Sequence, residues 1–269
     1  RKPFIPAVRD SKTHRARDLG IPVAPDARVR FLPLIASFVG SDMLALLYLI
    51  ESSFDRKRRL VMDLGTNGEI GLVHDGKIFV TSTAAGPAFE GGRISCGMRA
   101  TDGAIWRARF AGGDIEIDVI GGSIPKGLCG SGLLDVVAAL LRAGAIDGTG
   151  RILPRESVPY RAIASRIEGD GRERRVFLAS GEEKRLCLTQ NDVRELQLAK
   201  AAIRAASEIL LERAGLKWQD VEECLLSGAF GSFLSPQSAT AVGMMPTELE
   251  ERTIPIGNEA GEGCKRILL

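Results

Sequence analysis

The segment Asp63-Leu64-Gly65-Thr66-Asn67-Gly68-Glu69 decides how the rest of the chain is interpreted. It follows the apolar run Leu60 to Met62, which is typical of a buried strand, and a second apolar run begins at Ile70. Its two glycines let backbone amides approach a phosphate with no Cβ in the way, and the threonine and asparagine between them add side-chain donors. The segment therefore predicts a phosphate-binding turn between two strands.

Asp63 ends the first of these strands, where a buried carboxylate is costly unless something pairs with it. We interpret it as a catalytic residue that holds Mg²⁺ through water or orients an attacking water. An ordinary glycine turn of a β-hairpin is the alternative interpretation. The predicted nucleotide contacts of this turn are Gly65, Thr66, Asn67, Gly68 and Glu69.

A second glycine motif, Ser227-Gly228-Ala229-Phe230-Gly231, follows the leucine-rich strand Glu223 to Ser227. Two glycines at a strand end can form a flat surface for an adenine ring and its ribose. A plain strand-to-helix loop is the alternative. Pro236 follows Ser235, and this pair predicts the capped start of a short helix.

A third motif, Gly127 to Asp135, leads into a predicted helix that Ser131 caps and Gly144 ends. Free amides and the helix dipole attract anions there, so Gly130 and Ser131 are candidate nucleotide contacts. A loop that only packs closely is equally compatible with the motif. Cys129 is interpreted as a small buried residue rather than a nucleophile.

The loop Ala84 to Gly92 combines Gly-Pro and Gly-Gly with a Phe-Glu pair, which predicts a shaped loop at a cleft or a partner surface. Loops on a rigid scaffold often carry function. Glu90 is therefore a candidate catalytic carboxylate, with a structural or partner-contact role as the alternative.

The composition excludes several classes of function. The 269 residues include 36 basic and 34 acidic side chains, so the sequence does not concentrate the positive charge that a nucleic-acid-binding surface needs. The longest apolar run, Met43 to Ile50, is too short to cross a bilayer, and we expect no membrane partner. The five scattered cysteines and two histidines favour a reducing cytoplasm over a disulfide, zinc or cluster site.

The order of elements predicts an α/β fold with a mixed sheet flanked by helices. We expect a helix with Ser41 or Asp42 as its cap, three antiparallel strands between Leu60 and Ser82, more strands between Ala104 and Ile120, and a long helix from about Asp192 to Ala214. This order is that of a ribonuclease H-like lobe of the actin, heat-shock chaperone and sugar kinase fold. Residues 1–58 would be a connector and a lobe-crossing helix, and residues 59–269 the lobe, with a polar, irregular insertion and one edge hairpin around 150–188.

The motifs together resemble the C-terminal ATPase region of the reductive activators of corrinoid proteins. The segments that carry the resemblance are DLGTNGEIGLV, STAAGPAFEGGRISCGMRA, GLCGSGLLD, LSGAFGSF and GNEAGEGCKRILL. The resemblance implies ATP and Mg²⁺ as ligands and a corrinoid protein as partner. It implies reduction of Co(II) to Co(I) for methyl transfer, with an iron-sulfur cluster only in an N-terminal part of the parent protein. It also implies that residues 41–53 and a helix beginning at Gly257–Gly263 connect two lobes.

Two rival functions stay open, a small-molecule kinase of the same fold and a docking module in which residues 86–99 grip a partner. The chain begins at Arg1, and no Asp-x-Gly-Thr hairpin of a first lobe precedes Asp63. We therefore expect a piece of a longer protein that alone neither hydrolyses ATP efficiently nor carries electrons. Whether it forms a homodimer also stays open.

Overall fold

The structure is a computed structural model that describes residues 9–36, 38–51, 57–65, 67–181 and 184–269. Its first elements are two short antiparallel strands, β1 (Lys12–Arg15) and β2 (Arg28–Phe31), followed by helix α1 (Ser41–Glu51). The sequence predicted Ser41 or Asp42 as the cap of this helix, whereas Ser41 is already its first residue. The two strands were missed, because nearly all their side chains are exposed and no apolar alternation marks them.

The predicted antiparallel meander is confirmed. Strand β3 (Arg59–Leu64) pairs with β4 (Gly68–His74), and β4 pairs with β5 (Lys77–Thr83). The register places Asp63 opposite Glu69. The Asp63 carboxylate therefore lies at the end of the strand, beside the turn that the glycines form.

The next layer is a smaller sheet of β6 (Ala104–Ala111), β7 (Asp114–Val119) and β8 (Gly127–Leu128), which leads directly into helix α2 (Gly130–Arg142). The predicted capping role of Ser131 is wrong. The N-cap residue is Cys129, and the Ser131 hydroxyl donates to the Trp106 carbonyl at 2.9 Å. The helix begins earlier than predicted because its first turn packs against β6 instead of standing in solvent.

The segment around 150–188 is more regular than predicted. It contains helix α3 (Arg161–Arg166) and a three-stranded sheet of β9 (Ile167–Glu168), β10 (Arg175–Ser180) and β11 (Arg185–Thr189). Its apolar side chains belong to the main hydrophobic core: Ile163, Ile167, Val176, Leu178, Leu186 and Leu188. The many arginines between these positions hid the alternation, and only the hairpin of β10 and β11 was predicted.

The C-terminal part completes the central sheet. Its elements are α4 (Gln190–Arg213), β12 (Glu223–Ser227), α5 (Gly228–Gly231), α6 (Pro236–Ala241), β13 (Thr253–Gly257) and α7 (Glu259–Leu268). Strand β12 lies between β3 and β13 and is parallel to both, so the strand order is β13-β12-β3-β4-β5. This mixed sheet with flanking helices confirms the predicted α/β fold. The predicted cap at Ser235 is also confirmed, because its hydroxyl accepts from the Ser238 amide.

Helices α1 and α7 pack together beside the central sheet. Gly71 of β4 makes room for α1, since a Cβ there would come within 2.6 Å of the Met43 side chain. A Cβ at Gly263 of α7 would likewise come within 2.6 Å of the Ala45 carbonyl carbon of α1. Glycine at both positions thus allows close packing. Within the described part of the chain, no helix has the length and apolar character needed to span a bilayer.

Candidate functional site

The glycine motifs at residues 63–69 and 227–231 meet at one edge of the central sheet. Strands β3 and β12 are parallel, with Asp63 opposite Ser227, so both motifs follow the carboxyl ends of neighbouring strands. Ligands of open α/β sheets bind at such ends. In the turn of the hairpin, the Gly65 amide donates to the Asn67 carbonyl at 3.0 Å. Thr66 lies outside the described residues.

Gly228 brings the second motif into contact with the first. Its φ of +90° is a conformation that residues with a Cβ rarely adopt. A Cβ at this position would overlap with Asp63 Oδ1 and come within 2.6 Å of the Leu64 carbonyl oxygen. The neighbouring Ser227 hydroxyl donates to the Gly257 carbonyl at 3.1 Å, which ties β12 to the end of β13. The absence of a side chain at Gly228 therefore allows the two motifs to approach each other closely.

Three carboxylates lie near one another at this edge. Burial raises the pKa of Asp63, and the nearby Asp42 of α1 raises it further. The pKa of Glu69 is raised by burial, by Asp42 and by Asp63, against a Ser82 hydroxyl that donates to it at 3.4 Å. Crowded carboxylates disfavour ionisation, and a bound cation relieves that cost. Asp42 was considered only as a helix cap, because its approach to β3 depends on tertiary packing.

A cavity of about 280 Å³ is lined by four further predicted residues, Glu90, Gly130, Ser131 and Phe230. Its lining comprises Phe89, Glu90, Met98, Arg99, Ala100, Cys129, Gly130, Ser131, Phe230 and Phe233. The rings of Phe89 and Phe230 stack with centroids 4.3 Å apart. A Cβ at Gly130 would come within 2.7 Å of the Phe230 ring. Three of the four motifs thus contribute to one cavity wall.

Helix α5 joins this cavity to the hairpin of β3 and β4. Its first residue, Gly228, contacts the Asp63 region, and its third, Phe230, contacts Phe89 and Gly130. Nothing is described for the side chain of Ala229. All four predicted motifs are therefore linked through a single turn of helix.

Two cavity residues, Arg99 and Phe233, were not among the predicted site residues. Both are exposed, and Arg99 places a guanidinium in the same cavity as the exposed Glu90. Arg99 could have been found from its position in the glycine-rich loop after Cys96. Phe233 lies two residues beyond the second motif, and no local signal marks it.

The interpretation of the cysteines as small core residues fits most of their positions. Cys96, Cys129 and Cys224 are buried, and burial raises the pKa of Cys224 to about 12. The Cys129 thiol donates to the Ile105 carbonyl at 3.3 Å. A thiol with a raised pKa is a poor nucleophile.

The donors at the sheet edge fit a magnesium ion that keeps most of its water. Within the described ranges, no three His, Cys, Asp or Glu side chains are grouped so that they could hold a metal. Mg²⁺ commonly uses one or two carboxylates together with waters and substrate phosphates. Asp63 matches this use, since its carboxylate is half-buried beside two others.

The comparisons with known proteins all indicate the same family. Residues 57–269 match the family described as the C-terminal domain of RACo, the ASKHA domain, and residues 1–55 match the RACo middle region. The chain is 38% identical to the corrinoid activation enzyme RamQ of Eubacterium limosum, over 99% of this chain and 46% of that protein.

Two further similarities agree with this result. The chain is 30% identical to a [Co(II) methylated amine-specific corrinoid protein] reductase of Methanosarcina barkeri, over 97% of this chain and 48% of the reductase. A solved structure of a reductive activator for corrinoid, iron-sulfur protein superposes with a TM-score of 0.85 at 31% identity. That match covers all of this chain and 43% of the other. The chain thus spans slightly less than half the length of these relatives.

Proposed function

Because the chain belongs to the family of RACo C-terminal ASKHA domains, we propose that it is the ATP-binding lobe of a reductive activator of corrinoid proteins. The single observation that supports this most is helix α5, which contacts Asp63 at one end and the cavity of Phe89 and Gly130 at the other. The Asp63 end suits the polyphosphate of a nucleotide, and the cavity end suits its flat base.

The proposed roles follow this arrangement. The turn Gly65–Gly68 offers amides and side-chain donors to phosphates, and Glu69 stands beside it. The motif Ser227–Gly231, together with Gly130 and Ser131, forms the surface for the nucleoside. Asp63 holds Mg²⁺ through water, and Glu90 is the second candidate catalytic carboxylate. When bound, the metal supplies positive charge that offsets the phosphates and the crowded carboxylates.

We propose that residues 59–269 form this lobe, with residues 150–188 inserted into it. Residues 1–58 would be a connector and a lobe-crossing helix. In the longer protein, closure of two lobes around the nucleotide would bias their relative angle. Helices α1 and α7 pack together beside the sheet that carries Asp63, which suits them to connect the lobes.

The activity of the whole protein is part of the proposal. By analogy with the relatives, the longer protein would support reduction of Co(II) to Co(I) in a corrinoid protein of a methyltransferase system. The electron would come from an iron-sulfur cluster outside this chain, and a cytoplasmic location suits its free thiols. A homodimer is compatible with this proposal.

Amide chemical shifts of the site glycines provide a test that detects weak binding. We expect Mg-ATP to shift the amides of Gly65, Gly68, Gly228 and Gly231 saturably, with smaller shifts for ATP in EDTA. Gly215, which ends a distant helix, is the internal control. If the folded chain shows no such shifts, the nucleotide assignment is wrong.

Two additional measurements separate the rival functions. Transfer of the γ-phosphate to a sugar or an organic acid would favour the kinase. Binding of a corrinoid protein without any response to Mg-ATP would favour the docking module. The proposed activator should respond to nucleotide and should bind a corrinoid protein.

A further inference from the structure

A second cavity, of about 480 Å³, shares only Phe233 with the proposed nucleotide cavity. Strand β6, helix α2, the segment after α5 and Pro255 of β13 form its walls. None of the predicted site residues lines it. The lining includes Phe233, which is 60% exposed, the buried Leu234 and the partly buried Trp106, so the cavity has apolar as well as polar walls.

Asp135 of α2 lines this cavity and is only 5% exposed. Its Oδ2 atom accepts from the Ala108 amide at 3.3 Å, whereas its Oδ1 atom has no hydrogen-bond partner among the described residues. Burial raises the pKa of Asp135, and hydrogen bonding by the Ser238 side chain and the Ala108 amide, together with the charges of Arg107 and Arg142, offsets only part of this effect. A buried carboxylate oxygen with no donor is costly and calls for an explanation.

Two arginines at the rim carry positive charge toward the same cavity. Arg107 stacks on the Trp106 ring at 4.6 Å, and Arg142 donates to the Gln237 carbonyl at 3.0 Å. In the described part of the molecule, neither guanidinium has a carboxylate within ion-pair distance. Arg109, on the same strand, differs because it pairs with Glu116 at 2.7 Å.

We propose that this cavity binds a small zwitterion of the amino acid class, with its ammonium group at Asp135 and its carboxylate at Arg107 and Arg142. A cationic donor supplies what the buried carboxylate lacks, and the planar guanidinium fork matches a carboxylate. The apolar walls suit an aliphatic or aromatic side chain. The proposal does not depend on nucleotide binding.

Three matched probes separate the two charges of the ligand. L-leucine carries both charges, 4-methylpentanoate lacks the ammonium group, and 3-methylbutylamine lacks the carboxylate. Titration calorimetry of the full chain should show that leucine binds about tenfold more tightly than 4-methylpentanoate or 3-methylbutylamine. One hydrogen bond to a charged group changes the dissociation constant by about tenfold. If leucine binds no better than these two probes, or does not saturate, the proposal is overturned.

Variants then assign each charge to a residue. Asp135→Asn keeps the shape of the side chain and should weaken leucine about tenfold while leaving 4-methylpentanoate unchanged. The exposed pair Arg107→Gln and Arg142→Gln should weaken leucine and 4-methylpentanoate but leave 3-methylbutylamine unchanged. Arg172→Gln, at an exposed position outside the cavity lining, is the matched control and should change none of them. Equal effects of all these variants on all three probes would contradict the proposed orientation.

The same samples distinguish failure of this inference from failure of the ATP assignment. Mg-ATP should shift the glycine amides of the nucleotide site equally in the chain and in Asp135→Asn, which also shows that the variant is folded. Loss of leucine binding with intact Mg-ATP shifts supports the inference. Absence of leucine binding in the unaltered chain, with intact Mg-ATP shifts, rejects the inference alone.

Discussion

Gly228 lies so close to Asp63 that a Cβ at position 228 would overlap with the Oδ1 atom of Asp63. The glycine is held at a positive φ by the same turn of helix that carries Phe230 to the cavity. A close neighbour of the candidate metal ligand is thus a residue without a side chain. This contact makes position 228 sensitive in both stability and binding.

Gly228→Ala should lower the free energy of unfolding by about 3 kcal/mol, because the positive φ and the overlap with Asp63 both act against a methyl group. It should also abolish the Mg-ATP shifts. Urea unfolding and amide titration measure the two effects. Gly215→Ala is the matched control, because Gly215 has a φ of +71° but no heavy atom near its missing Cβ. An equal loss in both variants would mean that only backbone strain matters.

Asp63→Asn should raise the melting temperature of the ligand-free chain at neutral pH. The folded-state pKa of Asp63 is raised by burial and by Asp42, so the folded state binds its proton more tightly than the unfolded chain does. Stability is therefore greatest below the unfolded pKa and falls as pH rises through the folded pKa. The amide removes this loss, and it should also remove the Mg²⁺ dependence of ATP binding.

Calorimetry across the acid range checks the prediction for Asp63. Asp170→Asn, at an exposed position, is the control and should change neither stability nor binding. A lower melting temperature of Asp63→Asn at neutral pH would contradict the stated cause of the pKa shift.

Glu223→Gln should destabilise the chain by about 3 kcal/mol, because it removes an ion pair with Arg59 whose side chains are only 15% and 7% exposed. Burial alone would raise the pKa of Glu223, but hydrogen bonds from Arg59 and Lys57 outweigh it and lower the pKa. The stabilisation should be present above the unfolded pKa and lost as pH falls through the folded pKa.

Urea midpoints between neutral pH and pH 3 test this prediction. Glu262→Gln removes an exposed pair with Lys265 and should leave the midpoint unchanged. If the two variants behave alike, the buried pair at the start of β3 and β12 contributes little.

Ser131→Ala should destabilise the chain by about 1 kcal/mol, because it removes the bond to the Trp106 carbonyl. It should leave ATP affinity unchanged, since the hydroxyl is already engaged and only the backbone of residue 131 remains for a nucleotide. Ser235→Ala is a control with a similar loss of stability, because it removes a helix cap that does not line the proposed nucleotide cavity. A tenfold loss of ATP affinity in Ser131→Ala would show that the hydroxyl turns toward the ligand.

The elements at the candidate site were predictable because their signals are local. The glycines and Asp63 between two apolar runs mark a hairpin, and the leucines before Ser227 mark a buried strand. The start of the long helix was predicted two residues late, because Thr189 and Asp192 form a capping box that begins it at Gln190.

The remaining features depend on contacts between distant residues, which one sequence does not reveal. Asp42 approaches Asp63 only because α1 packs against the sheet, and Phe233 reaches the cavity only because α5 turns toward Phe89. The regular structure around residues 150–188 was hidden for another reason. There, exposed arginines such as Arg175 and Arg185 alternate with the apolar side chains and conceal their period.

The packing at Gly263 constrains how motion can spread through this molecule. A Cβ at this position would come within 2.6 Å of the Ala45 carbonyl carbon, so the backbones of α7 and α1 are in close contact and have little clearance to slide past each other. The two helices must then shift as one rigid body. Since the Ser227 hydroxyl bonds to the end of the strand that precedes α7, we expect a tilt of that pair to act directly on the candidate nucleotide site.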